Sequence, residues 1–543
     1  MWKITDTHSI TPLLNSLLLE WKNYTLDLPF ITLQCQEGLI RIELKKFSKI
    51  GHHQYTGNIY LNERRLTFNE FIHHLTDILP INDKSSFIGR VNESKNCIEE
   101  ALNLNGPHFK SIRPNFEHTE TALFLGHSLH PTPKSRTEFK KEDLFRYSPE
   151  HGGKFKVTWF KVHKSIYYEE HSKCFEDVMW AEEISEFKYD TDYYLLPIHP
   201  WQKEIILNLS IIKEYFENNL IIDLGEDSRY WTPTSSLRTV YNNESKFMIK
   251  FSLDLKMTNS VRHLLVHELK RGIQIHEVSK HPFLESFFKE CPQLQIIQEP
   301  CFAGILDEKK MPIIQSLIMI RENPFNSNDE VSLLATLTQP HTEETKGLLY
   351  ELITQSGLSP ESWFKQFLDK AIAPFLILQG KYGVLLGAHQ QNLILKLHNG
   401  SPIGAYFRDC HGTGFDAKKI DPIRGEVTSI TSDNGNILEP QISHYLFAYY
   451  LIINSVFNMV SAISHQTQIE EETLLKVYRD FLIDLKRRDG LDVSFIDYLL
   501  YSHELKHKGN FFCTAKNINE NTSSNPLDIY TTIINPLKEF ISA

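Results

Sequence analysis

Asn399-Gly400 stands between two apolar runs, 393–397 and 403–407, and few dipeptides constrain a chain more tightly. Asn and Gly tolerate the left-handed backbone of a two-residue turn, so the segment is predicted to fold as a β-hairpin. Pairing about that turn sets Asn392 opposite Phe407 and gathers His389, Asn392 and Asp409 at the open end. An Asn and an Asp offer hard oxygen ligands suited to Mg2+ on a nucleotide. A surface hairpin with incidental polar ends is the plainer alternative.

A second hairpin is predicted over 234–255. Period-2 alternation puts Phe247, Ile249, Phe251, Leu253 and Leu255 on one face and Lys250 and Ser252 on the other. Folding about Asn243-Glu244 brings Arg238, which shares a face with Ser236, roughly opposite Lys250. Like charges across a ladder repel, so either an anion lies between them or the face is an ordinary solvated one. Thr258 then reads as the N-cap of a helix over 261–273, with Arg262 in its first turn. The helix dipole disfavours a cation there, whereas free N–H groups plus an arginine make a carboxylate or phosphate site. Upstream, Gly126-His-Ser-Leu-His-Pro-Thr-Pro-Lys-Ser-Arg is predicted as a loop displaying His127, His130, Lys134 and Arg136. Lys134 and Arg136 could clamp one anion, arginine through its fork; a solvated basic turn is the alternative. Zinc on His127 and His130 would lack a third ligand nearby.

Composition narrows the function classes. The 543 residues, 41% hydrophobic and 23% charged, suit a soluble protein of two to four domains with a large core. A net charge of −11 disfavours nucleic acid as a general partner but permits an anion in a local basic pocket. Seven scattered cysteines with no CxxC pair favour reduced thiols over a disulfide framework or structural zinc. The N-terminus lacks a signal-peptide pattern, and no uncharged apolar run approaches the ~18–20 residues of a membrane helix. The expectation is a cytoplasmic protein with no membrane partner. GxxxxGK[ST], GxGxxG, GxSxG and HExxH motifs are absent. Expected units are 1–120, 121–358 and 359–543, with a loop at 323–329, apolar helices over 442–485 and an exposed loop at 517–526 before a terminal helix.

In order, these blocks resemble those of the IucA/IucC family, the aerobactin-type NRPS-independent siderophore synthetases. The family's GHPxHPxxKxRxGF pattern matches 126–139, and HPWQ matches His199-Pro200-Trp201-Gln202. SSxRT matches Ser235-Ser236-Leu-Arg238-Thr239, and KLSL…T…R matches Lys250, Thr258 and Arg262. HxQN is His389-Gln-Gln391-Asn392, and RDxxG is Arg408-Asp409-Cys-His-Gly412.

The resemblance implies an α+β cupped hand, with thumb, fingers and palm around a central cleft for ATP and carboxylate, and a dimer. It implies that a carboxylic acid, citrate favoured, is adenylated with release of pyrophosphate, and that an amine then displaces AMP. ATP with Mg2+ would contact His130, Lys134, Arg136, Ser236, Arg238, Lys250, Gln391, Asn392 and Asp409, the metal on Asp409 and Asn392. Thr258, Arg262 and His389 would hold the acid; Arg262, His389 and Lys250 would be catalytic. The chain departs from the pattern at Ser128 (usually Pro), Glu138 (usually Gly) and Gly387, where an EAHxQN block has Glu. Two rival readings are a kinase-like phosphotransferase, which lacks an Asp between His389 and Asn392, and a non-catalytic binder of citrate or siderophore.

Overall fold

The computed structural model describes residues 2–105, 112–177, 179–340, 346–518 and 526–540. Near the N-terminus a five-stranded antiparallel meander runs through Thr25–Asp27, Phe30–Cys35, Gly38–Lys46, Gln54–Leu61 and Arg64–Arg65. The alternation at Ile40-Arg-Ile-Glu-Leu44 turns Ile40, Ile42 and Leu44 inward. Leu13, Leu14, Leu17 and Leu18 of the helix Ile4–Glu20 fill the same core. The far end of the chain completes it: Phe511 and Ala515 of the helix Asn510–Lys516 pack there. Glu20 accepts the N–H groups of Phe511 and Phe512 at 2.7 and 2.8 Å.

The middle of the chain forms an eight-stranded antiparallel sheet. Its order is Tyr167–His171, Cys301–Ile305, Ile318–Glu322, Phe247–Phe251, Thr239–Tyr241, Ile221–Pro233, Phe155–His163 and Tyr193–Ile198. Trp159, Trp180 and Trp231 are fully buried in its main core. Phe247–Phe251 is buried along its whole length, so a lysine in it must find its partners inside the protein.

A four-stranded sheet, Leu294–Ile296, Ser401–Phe407, Leu393–His398 and Val331–Leu333, joins strands from both sides of residue 358. The second and third expected units therefore share a sheet. The Asn399-Gly400 turn forms, with both residues at positive φ, and His398 pairs with Ser401. Between Lys396 and Leu397 the register then shifts, so Leu393 rather than Asn392 opposes Phe407. Ile403 is the extra residue of this bulge, beside Pro402, which has no N–H to give the ladder. A Cβ on Gly404 would lie 2.3 Å from the Gln293 carbonyl oxygen, so glycine lets that backbone close in.

The C-terminal third is mainly helical. Pro440–Thr467 is continuous, with a π-helical stretch at Ala448–Val456, and packs beside Glu471–Lys486. By length and composition this 28-residue helix could cross a membrane, contrary to the expectation that no segment approaches that length. Its apolar window is 83% buried within the protein, so it serves as a core helix here. The terminal segment differs too: Tyr530–Ile534 is a strand paired with Glu504–Lys508, not a helix. Its Tyr-Thr-Thr-Ile-Ile sequence is β-branched at four of five positions, which suits a strand.

Candidate functional site

Lys250 is almost wholly buried, and its partners come from two separate stretches of chain, 409–411 and the segment around Glu299. Its Nζ lies 2.8 Å from Asp409 Oδ1, 3.2 Å from the His411 ring nitrogens and 3.8 Å from Glu299 Oε1. Thr239, not Arg238, stands opposite Lys250. The one-residue difference arises because 234–238 is a turn, with Leu237 at φ 64°, rather than the start of a strand. Arg238 instead donates to the carbonyls of Arg262 and His263 at 3.2 and 3.0 Å. The two cations do not face each other across a ladder, so no anion is needed there to separate them. They remain near enough for Arg238 to disfavour the Lys250 ammonium, alongside the larger effect of burial.

Asp409 follows the hairpin at φ 71°. Glu299 sits behind it, fully buried, accepting Arg321 Nε and Cys410 N–H, each at 2.9 Å. Burial opposes ionisation of both carboxylates. Lys250, Arg321 and His411 outweigh it, holding Glu299 at about 2 and Asp409 well below the usual carboxylate range. Burial, then Lys250, pushes His411 down to about 3, so its ring is neutral. Ligand atoms of Glu299, Asp409 and His411 lie within 4.8 Å of one another. Asn392, expected beside Asp409 as an oxygen donor, instead turns its amide N–H to the Gly387 carbonyl at 3.1 Å.

A second buried ion pair ties the site's loops together. Arg408 Nη1 lies 2.7 Å from Glu120 Oε1, while Glu120 Oε2 accepts Ser235 N–H at 2.9 Å. Arg408 Nε donates to the Gln391 carbonyl at 3.1 Å, and the Gln391 amide reaches Ser235 Oγ at 3.4 Å. Ser236 Oγ lies 3.1 Å from Thr234 Oγ1 in the same turn. His389 is held neutral, at about 4, chiefly by burial, against the pull of Asp409. Ser455, in the π-helical stretch, donates to the Ala388 carbonyl at 2.7 Å and pins this loop from behind.

Thr258 is not an N-cap. Lys256–Met257 and Ser260–Val261 form a short ribbon with Thr258 at φ 54° in its turn, and the helix begins only at Val266. Arg262 Nη2 donates to Thr258 Oγ1 at 3.0 Å, so the two expected acid-binding residues are indeed neighbours. The HPWQ block holds this segment in place. His199 caps Pro200–Ile206 through Trp201 N–H, and Gln202 accepts Asp254 N–H at 2.9 Å. Asp254 in turn grips His263 Nε2 at 2.5 Å.

The loop over 126–136 is packed inside rather than displayed. Lys134 and Arg136 converge on Glu150 Oε1 at 3.2 and 2.6 Å, so the anion they clamp is the chain's own carboxylate. Burial works against Glu150, yet Arg136 and Lys134 hold it at about 2; burial brings Lys134 down to about 8. His130 is buried as well, accepting Thr132 N–H at 3.1 Å, with Thr514 Oγ1 at 3.4 Å. Glu120, Glu150, Glu299, Arg321 and His411 received no role from the sequence. Arg321 carried a signal, a charge directly after the apolar run Leu317-Ile-Met-Ile; such a charge, once in a buried strand, must be paired.

Family models match two parts of the chain: "IucA / IucC family" over residues 115–339 and "Ferric iron reductase FhuF-like transporter" over residues 361–523. An N(2)-citryl-N(6)-acetyl-N(6)-hydroxylysine synthase of Vibrio mimicus is 33% identical, over 99% of this chain and 96% of its own length. A spermidine-citrate ligase of Bacillus anthracis is 31% identical over 78% of this chain and 73% of its own. Among solved structures, the ATP-bound aerobactin synthetase IucA from a hypervirulent pathotype of Klebsiella pneumoniae superposes with a TM-score of 0.88 at 27% identity. That match covers 98% of this chain and 99% of the other.

Proposed function

The chain belongs to the IucA/IucC family, and from that premise we propose that it is an ATP-dependent ligase of siderophore biosynthesis that joins citrate to an amine. A citrate carboxylate oxygen attacks the α-phosphorus of ATP, and the bond to pyrophosphate breaks. The amine nitrogen, having lost its proton, then attacks the acyl carbon, forming the amide and expelling AMP.

The observation that carries this reading is the meeting of Lys250, Asp409 and Arg238 with the Thr258–Arg262 pair in one place. Lys250 and Arg238 offset charge on the phosphates from fixed positions, which costs no reorganisation during reaction. His130, Lys134, Arg136, Ser236, Gln391 and Asn392 complete the nucleotide's surroundings. Lys134 and Arg136 do so with Glu150 already between them. Thr258, Arg262 and His389 hold the acid, the neutral His389 as a hydrogen-bonding group rather than a charge. Mg2+ suits Asp409, which is partly exposed, better than Glu299, whose oxygens Arg321 and Cys410 already occupy. Held on Asp409, the ion would neutralise phosphate charge, with Asn392 left to its bond to Gly387. The dimer implied by the resemblance belongs to the same proposal, and sedimentation equilibrium tests it.

The test is pyrophosphate release from purified protein with ATP, Mg2+ and hydroxylamine as trap, across citrate, 2-oxoglutarate, succinate and malate. Release with citrate alone is expected. ADP in place of AMP and pyrophosphate would install the phosphotransferase reading. Silence from folded protein across all four acids would point to a preassembled citryl-amide as the acid or to the non-catalytic reading.

A further inference from the structure

Thr258 stands at φ 54°, a left-handed backbone that a β-branched residue seldom adopts. Such a conformation persists only where its surroundings fix it. Two helices from opposite ends of the chain do so here.

The helix Lys84–Asn105 is seated in the N-terminal core by Phe87 and Val91. It presents Arg90, Glu93 and Ser94, three and four residues apart, on one face. Arg90 Nη2 donates to the Thr258 carbonyl and lies 3.3 Å from Thr132 Oγ1. Glu93 accepts Arg136 N–H at 2.7 Å, and Ser94 Oγ accepts Lys134 N–H at 3.0 Å. This face therefore sets the Thr258 turn against the 126–136 loop.

The helix Asn510–Lys516 holds the same ribbon. Thr514 Oγ1 lies 2.7 Å from Asn259 Oδ1, and Lys256 Nζ donates to Asn517 Oδ1 at 2.6 Å, just past the helix end. Glu20 fastens the start of this helix. Asn82 fastens its end, donating its backbone N–H to the Ala515 carbonyl and its side-chain amide to the Lys516 carbonyl, each at 3.1 Å. Both helices are thus anchored in the N-terminal core.

We propose that Arg90 is a positioning residue for acid activation: by fixing the Thr258 carbonyl it sets where Thr258 Oγ1 and Arg262 meet the acid. The proposal rests on the ligase reading above, with Thr258 and Arg262 at the acid end. Arg262 Nη2 donates to Thr258 Oγ1 at 3.0 Å and to the Met257 carbonyl at 3.3 Å, so its guanidinium follows the turn. Without Arg90 the turn is free to leave its left-handed backbone, and the acid meets two displaced groups. The nucleotide end does not depend on this bond. Lys250 lies in a strand buried along its whole length, and the 126–136 loop keeps Glu93, Ser94 and Glu150.

Citrate-dependent ATP–pyrophosphate exchange by the full chain tests this, because it yields kcat and separate KM values for citrate and ATP. Arg90→Ala is expected to raise the citrate KM about tenfold while the ATP KM stays within about twofold. A purely structural defect would lower the active fraction, and so kcat, and leave both KM values in place. Thr514→Val removes the hydroxyl that meets Asn259 and changes no charge; it should raise the citrate KM about threefold. A citrate KM within twofold of wild type in Arg90→Ala, or an equal rise in the ATP KM, overturns the proposal. A rise in Arg90→Ala with none in Thr514→Val also overturns it, because it assigns Arg90 a direct charge on the acid. If Arg90→Ala does not fold, the citrate KM of Thr514→Val decides alone. Absence of exchange in the wild type, by contrast, overturns the ligase reading itself.

Discussion

A Cβ placed on Gly387 would lie 2.9 Å from the carbonyl oxygen of Gly412, so the His389 loop and the Asp409 segment meet backbone to backbone. No side chain fits between them unless one backbone moves. The Glu of the EAHxQN pattern would thus have to be accommodated by separating the segments that carry His389 and Asp409.

Gly387→Ala is therefore expected to lower citrate-dependent pyrophosphate release about tenfold, with an overpacking cost of about 1–3 kcal/mol in urea unfolding. Gly387→Glu should be worse on both measures. A Gly387→Glu protein with wild-type stability and improved turnover would show that the contact is loose and the glycine incidental.

Lys250 is the cation nearest Asp409, and it also faces Glu299. Lys250→Met keeps most of the volume but leaves the buried Glu299 and the partly exposed Asp409 short of a counter-charge. Removing one partner of a buried pair costs about 3–5 kcal/mol. The expected result is a lower urea midpoint together with loss of ATP binding by calorimetry. Wild-type ATP affinity in a folded Lys250→Met protein would remove the lysine from the nucleotide's surroundings.

The turn at Asn399-Gly400 and the alternation at Ile40-Arg-Ile-Glu-Leu44 were legible because their periodicity is local. The registers of both hairpins were not. Ile403 bulges, where Pro402 withholds an N–H and Gly404 admits a third strand, and neither effect follows from counting outward from a turn. The same limit hid Glu150 between Lys134 and Arg136: adjacent cations in a sequence predict an anion but not whose. Glu120, paired with Arg408 across 288 residues, is a long-range partner of the same kind. The HPWQ block could be matched by pattern, but its work, holding Asp254 and through it His263, depends on contacts made only in the fold.

Arg262 follows the ribbon that Gln202 and Asp254 steady, hydrogen-bonded to Thr258 in its turn. Its place at the acid end of the site predicts a separable defect. Arg262→Ala should abolish citrate-dependent pyrophosphate release while calorimetric ATP affinity stays within about twofold of wild type. Equal loss of both would assign the guanidinium to the nucleotide or to the fold instead.

Buried imidazoles should set the acid limit of stability. Burial lowers His52 to about 4 and His199 and His507 to about 3. The unfolded chain titrates these groups near ~6.5, so below that pH it binds protons that the folded chain refuses. Their contribution is complete above pH ~6.5 and is lost as pH falls toward about 4 and then 3, each group costing about 1.4 kcal/mol per pH unit. Urea midpoints measured from pH 7.5 to 4.5 should fall steeply below 6.5, with proton uptake on unfolding. His507 gives the sharpest check, because neither of its ring nitrogens finds a partner among the described residues and its ring packs edge-on against Tyr449. His507→Phe removes an unmatched polar ring from the core and should raise stability at pH 7 by roughly 1–2 kcal/mol. It should also reduce the uptake near pH 5 by about one proton. A destabilised His507→Phe protein with unchanged uptake would mean that the imidazole is hydrogen-bonded and not a source of the acid limb.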